Sequence, residues 1–124
     1  MLHPLPPAEA YRRVELDAWI AGGDQRQLTR ICLAEAIAAL NRAMLWDGRG
    51  DDKHRQTALL KAISCIHALR MGLDPDHQIS GALRIVYGDA CHKLTLALRL
   101  FDRQMIMAVR KDFLDLEQAF AGAI

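Results

Sequence analysis

The sequence predicts an all-α protein, an antiparallel up-and-down four-helix bundle preceded by an N-terminal arm or short extra helix. Three observations predict it. Nineteen Ala and 18 Leu stand among 124 residues, against 8 Gly and 4 Pro, and three of the prolines fall within the first seven positions. That composition favours helix. Four stretches repeat apolar residues at steps of three and four, the spacing that lines one face of a helix. Short polar connections join them, so each helix should turn back along its neighbour.

The first helix is expected from about Gln25 to Leu45, opened by Gly22-Gly23-Asp24 with Asp24 as N-cap. At 100° per residue, Leu28, Cys32, Leu33, Ala36, Ile37, Ala39, Leu40, Ala43 and Met44 share one half of its circumference. Trp46-Asp-Gly-Arg-Gly-Asp-Asp52, with two glycines and three aspartates, reads as the longest loop. A second helix spans about Lys53 to Gly72, with Leu59, Ala62, Ile63, Ile66 and Leu69 in one stripe and Gly72 as C-cap. Asp74-Pro75-Asp76 makes the next corner.

The third helix, about Asp76 to Phe101, carries Ile79, Leu83, Val86, Ala90, Leu94, Ala97 and Phe101 as a near-heptad seam. A fourth, about Gln104 to Ala121, aligns Ile106, Val109, Phe113, Leu116 and Phe120. The chain therefore divides into an arm, 1–24, and a bundle, 25–124. Within the arm, a short helix can begin just after Pro6-Pro7.

Composition also narrows the function. Sixteen basic and 15 acidic residues give a net charge of +1, too little to draw nucleic acid over a distance. No apolar run is long enough for membrane insertion, and the amino end lacks the pattern of a signal peptide, so a cytoplasmic location is expected. Cys32, Cys65 and Cys91 show no C-x-x-C pairing and read as reduced core thiols. None of the five histidines has a metal-ligand partner at i+3 or i+4, and Ser64 and Ser80 fall within helices without a glycine elbow. The expectation is no metal, no cofactor and no enzymatic activity.

A surplus of apolar residues lies off the core stripes. Ile85, Leu96 and Leu100 fall roughly 100–160° from the centre of the third helix's stripe, and Leu60 and Met71, beside small Ser64 and Ala68, oppose Ile66 on the second. A contiguous apolar patch on two helices marks a surface for another protein. The arm, with Tyr11, Val14, Trp19 and Ile20, has the apolar anchors to cover such a groove.

The order of residues resembles the flagellar export chaperones that hold flagellin, the FliS family. The resemblance runs through Ala10-Tyr11, Gly23-Asp24 with Leu28, Ala43, Leu69, Leu73-Asp74, Val86-Tyr87, Leu94, Ala97 and Asp102. Asp24-Gln25 replaces the family's Ser-Pro, Leu33 a usual Tyr, Gly88-Asp89 an Asp-Tyr, and Phe120 a terminal Trp. Such a resemblance implies a bundle that binds the disordered C-terminal segment of flagellin, prevents premature polymerisation and presents it to a component of the flagellar type III export gate. It implies that the stretch around Tyr11 covers part of the client site in the free protein. The partner-binding set expected on these grounds is Tyr11, Leu60, Ala68, Met71, Ile85, Tyr87, Leu96 and Leu100, on a monomer or weak homodimer. The alternative is another helical adaptor or a regulator of flagellar assembly.

Overall fold

A computed structural model describes residues 23–77 and 80–121, with side chains of the first helix described from Arg26 onward. Four helices fill it: α1 (Gly23–Gly48), α2 (Asp52–Met71), α3 (Ser80–Arg99) and α4 (Arg103–Ala121). The all-α expectation holds. Each helix packs on two neighbours, in the cyclic order α1, α2, α3, α4, and no diagonal pair makes substantial contact. Run directions follow from two cross-links. Gln56 at the start of α2 donates to the carbonyl of Leu98 at the end of α3 (3.2 Å), and Arg103 at the start of α4 donates to that of Met44 near the end of α1 (3.1 Å). Neighbouring helices are therefore antiparallel.

The expected long loop is a correction. α1 continues through Trp46 and Asp47 to Gly48, leaving only Arg49-Gly50-Asp51 as connection. Gly50 has φ +69°, its N–H bonds to the Asp47 carbonyl (3.0 Å), and the Asp51 N–H reaches the Trp46 carbonyl (3.0 Å). This pair of bonds closes a helix on a left-handed glycine, satisfying carbonyls the last turn would otherwise leave open. Asp51 then starts the next helix: its Oδ1 accepts from the His54 N–H at 3.0 Å.

Other boundaries shift by smaller amounts. α1 already begins at Gly23, so Asp24 lies inside the helix and is not its cap. Gly72 does serve as the C-cap of α2, its N–H bonded to the Ala68 carbonyl at 3.1 Å. α3 starts at Ser80 and not near Asp76, because Asp74 Oδ1 instead accepts from the Asp76 N–H (2.9 Å) in a local turn around Pro75. Asp102 caps α4, accepting from Gln104 and Met105 N–H at 3.1 and 3.2 Å.

The core follows the apolar stripes. Leu33 and Leu40 of α1, Leu59 and Ile66 of α2, Leu83 and Leu94 of α3, and Ile106, Phe113 and Leu116 of α4 are fully buried. Burying each such side chain contributes about 1.5–3 kcal/mol before entropic costs. Val86, Ile63 and Phe101 are only partly covered at the rim of that core. Leu28 is a second correction: it is 58% exposed. On the helical wheel it stands roughly 100° from the centre of the stripe that is buried, Leu33, Ala36, Ile37, Leu40 and Ala43, and so falls at its solvent edge even though α4 reaches this level, with the Arg26 guanidinium over the Phe120 ring.

Candidate protein-binding surface

The apolar surplus on α2 and α3 stands outside the core. Met71 is 83% and Leu100 80% exposed, and Leu60, Ile85 and Leu96 are each more than half exposed. Ala68 is exposed as well. The reason is geometric. The buried stripe of α2 runs through Leu59, Ala62, Ile66 and Leu69, and that of α3 through Leu83, Tyr87, Ala90 and Leu94. Residues half a turn away necessarily face solvent.

Tyr87 does not share that face and is a third correction. It is fully buried, one of the largest enclosed side chains, with its ring 6.1 Å from that of Phe113 across the α3–α4 interface. Its place is four residues after Leu83 and seven before Leu94, in the middle of the core stripe. Tyr11 lies outside the described residues, as does the whole arm.

At the seam between α2 and α3 the Arg70 guanidinium lies 3.8 Å from where a Cβ on Gly88 would stand. Leu60 and Met71 are exposed on α2 and Ile85 and Leu96 on α3, with Ile85 also lining a cleft between α3 and α4.

Two other depressions flank α4. A groove of about 1010 Å³ between α1 and α4 has Ile31, Leu33, Leu114 and Phe120 in its lining and Arg30 and Glu117 among its polar groups. A smaller cleft of about 300 Å³ between α3 and α4 includes Ile85, Val86, Val109 and Phe113, with Lys93 and Asp112 beside them. Exposed Ile31 and Leu28 on α1 and Met107 on α4 were not signalled by the periodicity as surface positions. A surplus on two helices was legible; one spread over four was not.

Local packing sets the state of the thiols and of the Asp51 carboxyl. Burial pushes the Cys65 and Cys91 thiols up, and that of Cys32 likewise, with Lys61 or Arg70 opposing the effect. High thiol pKa values keep these groups protonated and poorly nucleophilic. Asp51 is held below the usual carboxylate range, chiefly by the His54 backbone N–H it accepts. Among the described residues, no three His, Cys, Asp or Glu side chains gather as a metal site requires, and no helix is long and apolar enough to cross a membrane.

An arrangement of exposed apolar side chains on a rigid helical frame can bind polypeptide; none of its groups is set up for bond chemistry. No individual curated protein matches the chain. The family model described as flagellar protein FliS matches residues 7–124, nearly the full length. The chain therefore belongs to the FliS family of flagellar export chaperones, whose members have flagellin as their partner.

Proposed function

We propose that this protein is a cytoplasmic, non-enzymatic chaperone that binds the C-terminal segment of flagellin, blocks its premature polymerisation and delivers it to the flagellar type III export gate. The observation that carries this reading is the exposure of Leu60, Met71, Ile85 and Leu96 on neighbouring helices of a chain in the FliS family. A helical filament subunit joins its neighbours through amphipathic segments. The same apolar face, laid on α2 and α3, is no longer available to another subunit.

Ordering a segment across such a bundle buries about 1,000–3,000 Å² and costs several kcal/mol in chain entropy. The resulting affinity is firm yet compatible with release at the gate.

Co-elution of the purified protein with flagellin tests the reading. A one-to-one complex is expected, and deletion of the last ~40 residues of flagellin, the segment that folds on binding, should abolish it. Persistence of the complex without that segment contradicts the reading.

A further inference from the structure

Charge is not shared evenly among the four helices. α2 carries Lys53, Arg55, Lys61 and Arg70 against Asp52 alone, and α3 carries Arg84, Lys93 and Arg99 against Asp89 alone. α1 and α4 each hold three basic and three acidic residues. A net charge of +1 for the whole chain thus conceals one basic half.

Internal pairing removes little of it. Arg55 is engaged by Asp47 and Asp52, and Lys93 by Asp89 at 2.9 Å. Among the described residues Lys53, Arg70, Arg84 and Arg99 take part in no ion pair. Their placement is not random. Arg70 overlies Gly88 at the α2–α3 seam. On α3, Arg84 lies four residues before Gly88 and Arg99 eleven after, spacings that return to the same side of a helix. The two helices that carry the exposed Leu60, Met71, Ile85 and Leu96 are therefore also the two that carry these unpaired cations, Arg70 and Arg84 lying between them at the seam.

We infer that the α2–α3 face receives an acidic amphipathic segment, whose apolar residues seat on Leu60, Met71, Ile85 and Leu96 while its flanking carboxylates meet Arg70 and Arg84. This deepens the chaperone reading above and rests on it. A phosphate lattice has no use for four exposed apolar side chains among the cations, which sets a polypeptide ahead of nucleic acid. Carboxylates on the segment also speed encounter, because an attractive field acts before contact.

Two synthetic peptides test the assignment. Both are about 20 residues long, matching a helix of α2's length, and share one Leu/Ile stripe at i, i+3, i+4 and i+7; one is flanked by Glu, its twin by Lys. The Glu peptide should bind the full-length protein about tenfold tighter at ~0.05 M salt, and the difference should shrink to about twofold near 0.5 M. The R70E/R84E variant should reverse the order of the twins, and R70Q/R84Q should level it, with unchanged circular dichroism in both. Equal binding of the twins, binding of neither, or a preference untouched by either double variant overturns the inference. So does tighter binding of anionic phosphatidylglycerol vesicles or of duplex RNA that is lost in R70E/R84E. If flagellin binds while the twins do not differ, the charge assignment fails and the chaperone reading stands; if the Glu peptide binds as expected and flagellin does not, the reverse holds.

Discussion

Asp47 Oδ1 accepts from Arg55 Nη1 at 3.0 Å, joining the last turn of α1 to the first turn of α2. Arg55 also reaches Asp52 (3.1 Å) and lies over the Phe101 ring, 5.0 Å from its centroid. Arg103 of α4 stands 3.6 Å from the other Asp47 oxygen. One carboxylate therefore ties three helix ends together. Both partners of the main pair are largely shielded from water, so truncating one leaves the other under-satisfied. Asp47→Ala should cost about 1–2 kcal/mol by urea denaturation, and an Asp47→Ala/Arg55→Met cycle should return a coupling that distant pairs lack. Additive effects would deny the clasp.

The N-cap of α2 gives a pH signature. Asp51 has a carboxyl pKa lower in the folded state than in the unfolded chain, because it accepts from the His54 N–H and sits 2.7 Å from His54 Nδ1. The deprotonated form is the one folding favours. Its stabilisation is present above the unfolded-state carboxylate pKa and is lost as pH falls through the lower folded value. Asp51→Ala should lower the Tm by a few degrees at pH 7, with the gap to wild type closing in acid as the pH falls below the ordinary carboxylate range. An equal gap at every pH would show that the side chain acts through something other than its charge.

Core truncation should separate seam positions from surface ones. Leu94 is fully buried, and Leu94→Ala should destabilise by about 2–5 kcal/mol. Leu100→Ala, at an exposed site, should stay within about 0.5 kcal/mol. Similar losses at both would mean that Leu100 is covered in solution.

Thiol chemistry reports burial independently. Cys65 and Cys91 are buried and carry raised pKa values, while Cys32 is half-buried. Alkylation by iodoacetamide at pH 7.5 should be slow in the native protein, with Cys32 first, and should become fast at all three in urea. Rapid native labelling of Cys91 would place it outside the core.

Much of this fold was legible because helical period and burial agree wherever a helix has neighbours along its length. Ile106, Val109, Phe113, Leu116 and Phe120 of α4 are all buried, as their spacing requires. Leu28 lies at the edge of the α1 stripe, roughly 100° from the centre of its buried part, where period alone does not decide burial. Gly48 and Gly50 suggested a long loop, yet one ends the helix and the other supplies only the left-handed residue after it. The Asp47–Arg55 pair spans a turn, eight residues apart, and no local pattern announces it. Exposure of Leu60, Met71, Ile85, Leu96 and Leu100 could be read from the wheel. Tyr87 was drawn onto the surface by its place in a family motif, although its own spacing put it in the core.

The central claim is that polypeptide binding resides on the outer side of α2 and α3. Isothermal titration of flagellin's C-terminal segment into wild type, Met71→Asp and Leu96→Asp, with circular dichroism and melting on each, tests it most directly. Both variants should melt near the wild-type temperature, because exposed sites lose no core packing, and should bind at least about tenfold more weakly. Undiminished binding in two well-folded variants would contradict the claim.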